Sequence, residues 1–237
     1  MPTDCLFRDD SYLKECQARV VAVGAQAIAL DRTVFYANSG GQPGDTGTLK
    51  TAAGAEIPIA SAIFTDAGKT EITHLPGSGA AAPAAGETVA ATIDWPPRYA
   101  RMRVHTALHL LSAALPFPVT GGSVGETEGR LDFDIPEAGL DKDEITAKLA
   151  AMIAADAAVT ARWITDEELL ANPSLVKTMS VKPPLGSGRV RLIEIAGLDL
   201  QPCGGTHVRS TKEIGGCRVT QIEKKGKLNR RVRIALL

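Results

Sequence analysis

Two short motifs lie almost a hundred residues apart, and any fold of this chain has to account for both: His105-Thr106-Ala107-Leu108-His109 and Pro202-Cys203-Gly204-Gly205-Thr206-His207. Arg98 to Leu115 reads as a helix, entered through Trp95-Pro96-Pro97, where Pro is tolerated in the first turn, and ended by Pro116 and Pro118. On a helix, residues four apart stand one turn above the other on one face, so His105 and His109 point the same way. Gly204 and Gly205 let the second motif fold tightly enough for a thiolate and an imidazole to converge. Three imidazoles and one thiolate suit zinc, which prefers nitrogen and sulfur in a tetrahedral arrangement. An i, i+4 His pair alone is often an accident of a helix surface. The chain has only four histidines, however, and three of them fall in these two motifs. His105, His109, Cys203 and His207 are therefore the candidate zinc ligands and the candidate catalytic centre. His74 stands outside both motifs, as a strand or turn residue with no assigned role. Thr106 occupies the place where a His-Glu-x-x-His protease carries its general-base Glu, and the His-x-Glu and Pro-Cys-x-x-Cys of nucleobase deaminases are missing.

Ahead of the helix the chain reads as short strands: Ala18 to Val23, Ala27 to Leu30, Thr33 to Tyr36, Gly47 to Lys50, Glu56 to Phe64, Glu71 to His74 and Thr88 to Asp94. Closely spaced short strands broken by Gly-rich turns predict a small β-barrel. Pro76 to Gly86 is a low-complexity loop or linker, which places a domain boundary near it: residues 1–90, then 91–237. In the second part, Val119 to Gly125 reads as a Gly-rich connection and Arg130 to Ile135 as a half-buried strand. Asp141 to Ala158 reads as a helix with Ile145, Leu149, Met152 and Ile153 on one face. Val159 to Ile164, Arg189 to Ile195, Cys217 to Ile222 and Arg231 to Leu236 are further strands. The predicted class is α+β, with helices packed on a mostly antiparallel sheet.

With 237 residues, 44% of them hydrophobic, the chain can bury one large core or two modest ones. No apolar run approaches the roughly 20 residues that cross a bilayer, and the first ten residues carry Asp4, Asp9 and Asp10 instead of an apolar signal segment. Four cysteines without a regular framework fit a reducing compartment, and Cys5, Cys16 and Cys217 read as ordinary small residues. These features predict a soluble, cytoplasmic protein. A net charge of −1 argues against a general nucleic-acid binder. Near the end, however, Arg218, Lys224, Lys225, Lys227, Arg230, Arg231 and Arg233 face a single acid, Glu223. That stretch is either a solvated strand and turn or a phosphate-contacting patch. Arg98 and Arg101 fall near the face of His105 and His109. They either hold phosphates leading into the site or pair with acids on a neighbouring element.

Taken in order, His105-Thr106-Ala107-Leu108-His109-Leu110-Leu111, Arg130-Leu131-Asp132-Phe133, Cys203-Gly204-Gly205-Thr206-His207-Val208 and the upstream Gly40-Gly41-Gln42-Pro43-Gly44-Asp45-Thr46-Gly47 resemble the editing domain of alanyl-tRNA synthetase. From about Leu6 onward, the chain is similar to the free-standing AlaX-type editing proteins in their medium form, which keep an N-terminal barrel. The resemblance implies a barrel like that of translation factors and a zinc site on the four residues named. It also implies hydrolysis, in trans, of the ester joining serine, and in a lesser role glycine, to tRNA(Ala). Selecting serine needs a partner for its hydroxyl. Thr120 and Ser123 are the candidates, with Thr106 behind them, although the same residues also suit a tight turn. Gly40, Gly41 and Gln42 either shape the substrate pocket or form a plain loop. Lys224, Lys225, Lys227 and Arg230, with Arg98 and Arg101, are the candidate tRNA contacts. Two alternatives stay open. One is editing of another tRNA, as in threonyl-tRNA synthetase editing domains; the other is a zinc-stabilised RNA-binding module without turnover. Nothing in the sequence fixes the oligomeric state.

Overall fold

The computed structural model describes residues 2–78, 82–135, 139–178 and 188–237; part of the low-complexity stretch, residues 79–81, lies outside them. The chain forms two compact units, Met1–Arg98 and Tyr99–Leu237.

The first unit carries β1 (Asp4–Cys5), β2 (Glu15–Gly24), β3 (Ala27–Leu30), β4 (Arg32–Thr33), β5 (Gly47–Thr51), β6 (Glu56–Phe64), β7 (Ile72–Pro76) and β8 (Thr88–Ile93). Six of them close into an antiparallel barrel in the order β2-β3-β7-β6-β5-β8, with β8 returning to β2 through pairs such as Cys16 with Ala91. Successive strand residues point to opposite faces, so Ala18 and Val20 of β2, and Val89, Ala91 and Ile93 of β8, line an apolar interior with Leu30, Leu49, Ile57 and Ile72. Closure leaves no free edge on this sheet.

The expected strand from Thr33 to Tyr36 is regular only as far as Thr33. The buried backbone beyond it pairs with side chains instead of a ladder. Phe35 N–H donates to Thr33 Oγ1 at 3.0 Å, and Tyr36 N–H donates to Asp45 Oδ2 at 2.7 Å. The Gly-rich motif then turns between Ser39 and Gln42, with Gly40 and Gly41 at φ of 58° and 81°, the left-handed region that glycine enters most easily.

Arg98 departs from the phosphate-holding expectation. Its side chain is fully buried, paired with the equally buried Asp45. It also donates to Ser11 O at 3.0 Å and Val34 O at 2.6 Å. Its guanidinium is committed to the barrel, which is why this unit runs into the first turn of the following helix. Pairing with an acid, the other option open to this residue, is what the structure contains.

The second unit holds most of α1 (Trp95–Ala114), then β9 (Val119–Val124), β10 (Glu128–Asp134), α2 (Lys142–Ala154), β11 (Val159–Thr165), α3 (Asp166–Ala171), β12 (Arg189–Ile195), β13 (Asp199–Pro202), β14 (Cys217–Lys224) and β15 (Asn229–Leu236). The strands make one antiparallel sheet in the order β14-β15-β10-β9 and another in the order β11-β12-β13. Counting the barrel as well, the class is α+β. The Gly-rich connection expected at Val119 to Gly125 is instead the edge strand β9, because Gly122 and Ser123 pair with Leu131 and Arg130 of β10; pairing overrides the low strand preference of glycine.

The α2 helix starts where Asp141 accepts from the Asp143 and Glu144 amides. It buries Ile145, Leu149 and Ile153 and stops short of the expected Ala158, with Asp156 turning to φ 50°. Sequence reading did not anticipate α3, which opens on a capping box between Thr165 and Glu168. Among the described residues, no helix is long and apolar enough to cross a membrane.

Candidate metal centre

The two motifs meet inside the second unit. On α1 the rings of His105 and His109 lie 5.3 Å apart, and the His207 ring is 4.3 Å from the first and 4.6 Å from the second. One donor atom from each of His105, His109, Cys203 and His207 falls within 4.8 Å of the others. The donor spacing tests the fit to zinc. Bonds of about 2.3 Å to sulfur and about 2.0–2.1 Å to nitrogen, opened to a tetrahedral angle, put the two donors roughly 3.5 Å apart. Cys203 Sγ lies 3.6 Å from His105 Nε2 and 3.3 Å from His207 Nε2. These four residues fit zinc in both chemistry and spacing.

Two supports hold the loop that carries Cys203. Cys203 N–H donates to Arg191 O at 3.1 Å, extending the β12–β13 ladder by one step. The buried Arg191 guanidinium donates to Cys203 O at 3.0 Å and to Gly205 O at 2.9 Å, pinning both sides of the turn. Gly205 N–H points at the sulfur from 3.3 Å.

Behind the ring of His207 stands Thr106, fully buried. Its hydroxyl lies 3.1 Å from His207 Nδ1, accepts from Val208 N–H and donates to Met102 O. Thr106 thus braces the His207 ring from a fully buried position. On the other ligand, His109 Nδ1 lies 3.0 Å from Asp199 Oδ2.

The electrostatics favour a thiolate at the cluster. Burial alone would raise the Cys203 thiol, but His105 and His207 hold it well below its ordinary range, toward the thiolate that binds metal. Burial disfavours charge on His109, yet the hydrogen bond to Asp199, backed by the Cys203 sulfur, lifts it to about 9. Burial, with His105 beside it, pushes His207 down to about 3.

The other candidate residues are placed as follows. Thr120 is the extra residue of a β-bulge, since Asp132 pairs with Gly121 and Phe133 with Val119. Its hydroxyl donates to Asp132 O at 3.1 Å and accepts from Asn229 Nδ2 at 2.9 Å. Ser123 lies on the face of the sheet away from α1. A Cβ on Gly129 would run into Val104 and Leu108, so α1 covers the face carrying Gly129 and Leu131. Ser123, opposite Arg130, lies on the other face. In the first unit, Gly40 and Gly41 are exposed and Gln42 is buried in the turn. Arg101 pairs with Glu126 at 2.9 Å.

The C-terminal basic stretch meets more acid than Glu223 alone. Lys225 and Arg233 bind Glu223 at 2.6 and 2.7 Å, while Arg130 and Arg231 both bind Asp132 of β10. Arg230 folds back over the carbonyls of its own turn, and Lys224 and Lys227 are exposed. Sequence reading passed over Lys177, Arg191, Asp199 and Gln201. The signal for two of them was the alternation Asp199-Leu200-Gln201-Pro202 directly before Cys203, which sends two polar side chains to one face of a strand.

Comparison with known proteins agrees with this layout. Residues 190–233 match the model of the threonyl and alanyl tRNA synthetase second additional domain, and residues 7–97 match that of class II (A) tRNA synthetases. The alanyl-tRNA editing protein AlaX-M of Methanosarcina acetivorans is 35% identical, with 99% of each chain aligned. The AlaX-L protein of Pyrococcus horikoshii is 32% identical over 94% of this chain and 55% of its own length. An alanine–tRNA ligase of Sulfurisphaera tokodaii is 30% identical over 94% of this chain and 25% of its own. Similarity along nearly its whole length to AlaX-M, and to only part of the longer relatives, places the chain in the AlaX family of alanyl-tRNA editing proteins.

Proposed function

We propose that this protein removes the wrong amino acid, serine above all and glycine to a lesser degree, from mischarged tRNA(Ala), acting in trans with zinc held by His105, His109, Cys203 and His207. The observation that carries the reading is the convergence of three imidazoles and a thiolate-prone cysteine, at zinc spacing, in a chain that aligns end to end with AlaX-M proteins. An aminoacyl ester is already activated, so its hydrolysis asks for little beyond polarisation of the carbonyl. Zinc bound here would supply that Lewis acidity. The chain's own part is to keep the donors in place: Thr106 behind His207, and Arg191 beneath the Cys203 turn. Water attacks the carbonyl carbon, the acyl C–O bond breaks, and the ribose oxygen leaves with a proton as the tRNA hydroxyl.

One observation favours a second reading, a zinc-stabilised RNA-binding module. Four protein donors fill a tetrahedral site, as structural zinc sites do. Deacylation assays on tRNA(Ala) charged with serine, glycine or alanine, run beside Cys203→Ala, separate the two. The editing reading expects rapid loss of serine, sparing of alanine, and no activity in the variant. Stoichiometric zinc with no hydrolysis of any ester would favour the module.

A further inference from the structure

Beyond the four ligands, a buried polar chain runs from His109 to the surface. The Asp199 side chain is completely buried, and three groups surround its carboxylate. His109 Nδ1 lies 3.0 Å from Oδ2, Gln201 Nε2 lies 2.7 Å from the same oxygen, and Lys177 Nζ lies 2.5 Å from Oδ1. Gln201 Nε2 also reaches Ser112 Oγ at 3.1 Å, and Ser112 Oγ donates to His109 O at 3.0 Å.

The short contacts around Asp199 assign the donors. An amide nitrogen has two hydrogens, and here they go to the carboxylate and the serine hydroxyl. None remains for His109 Nδ1, 3.0 Å away, so the ring must itself donate from Nδ1 to Asp199. That turns Nε2 toward Cys203, His105 and His207.

We infer that Asp199, clamped between Lys177 and Gln201, is the positioning residue that fixes which nitrogen of His109 faces the metal. The inference rests on the reading of the cluster as a zinc site. A carboxylate behind a ligating imidazole fixes its orientation and makes the ring a stronger donor. Lys177 is well placed to hold the carboxylate, because its own backbone is stitched to the start of β9: Val119 N–H donates to Lys177 O at 2.9 Å, and Thr178 bridges Val119. Gln201 and Asp199, two apart on β13, present their side chains to the same face, so one strand supplies both the acceptor and its brace.

The test measures metal binding directly, by chelator competition for zinc(II). Asp199→Ala should weaken zinc about 10–100-fold and Asp199→Asn about tenfold. Lys177→Met should weaken it less than either. In zinc-loaded wild-type protein labelled with 15N, long-range proton–nitrogen correlation should find the His109 proton on Nδ1. The inference is overturned if both Asp199 variants bind zinc like wild type, or if the His109 proton sits on Nε2. Should the variants fail to fold, the wild-type spectrum still decides. A zinc-loaded protein with its proton on Nδ1 that hydrolyses no ester would sink the editing reading and leave the role of Asp199 standing. Wild-type protein that takes up no zinc would overturn both.

Discussion

His74, far in sequence from every ligand, is sealed in the barrel wall with its two nitrogens spoken for. Nδ1 lies 3.0 Å from Ile28 O and Nε2 lies 2.8 Å from Thr33 Oγ1. Ile28 O can only accept, so Nδ1 carries the ring proton, and the neutral ring accepts the Thr33 hydroxyl proton at Nε2. Burial pushes its pKa down to about 4. The unfolded chain therefore takes up this proton near pH 6.5, while the folded chain resists until about pH 4. Between those values the unfolded state binds more protons, so stability falls as the pH is lowered, by about 3 kcal/mol from this group. Urea midpoints measured from pH 7.5 to 4.5 should drop less steeply in His74→Gln than in wild type. Parallel slopes would assign the acid sensitivity to carboxylates instead. On the substrate side, Thr120, whose hydroxyl oxygen has a second lone pair beyond the one that Asn229 uses while its proton goes to Asp132, is our proposed partner for the serine hydroxyl. Thr120→Val should slow seryl-tRNA(Ala) hydrolysis at least tenfold, and an unchanged rate excludes Thr120 from that role.

At the level of elements, the barrel depends on two places where the backbone comes too close for a side chain. A Cβ on Gly44 would strike the Ala62 backbone, and one on Gly47 would strike Thr92 O and crowd the Phe35 ring. Either Gly→Ala change should cost more than about 2 kcal/mol, read as a lower thermal midpoint. Arg98→Met should cost more still, about 3–5 kcal/mol, since it leaves the Asp45 carboxylate buried without its cation.

Arg98 also shows where sequence reading stops. Its spacing on the helix was legible, but its partner lies 53 residues earlier, and helical spacing carries no information about that. The barrel strands were legible because alternation writes the buried face into the sequence. The strand β9 was not, because Gly121 and Gly122 erase that alternation and only pairing with β10 makes the segment a strand. The His105, His109, Cys203 and His207 cluster could be read from chemistry and spacing alone. Arg191 and Asp199 come to lie under the Cys203 turn and behind His109 only through strand register, and Lys177 only because its backbone is tied to Val119.

For the molecule as a whole, the basic stretch divides into cations already neutralised and cations facing water. Lys225, Arg231 and Arg233 are tied to Glu223 and Asp132, whereas Lys224 and Lys227 are exposed. If the exposed pair contacts tRNA phosphates, replacing both with Ala should weaken tRNA binding and flatten its dependence on log salt by about one to two units. Lys225→Ala should leave that slope close to wild type, and filter binding across a salt series distinguishes the cases. With zinc in place, the centre also joins α1 to a loop far along the chain, since His105 and Cys203 stand 98 positions apart. In the chain-entropy picture, a tie across roughly 100 residues contributes about 5 kcal/mol. Chelation should then lower the melting temperature by about 10 °C or more. Unlike a disulfide, this tie opens whenever the ion leaves. Under the proposed zinc reading, a chain fastened in this way is open to proteases when zinc is scarce, and its abundance should follow the zinc supply.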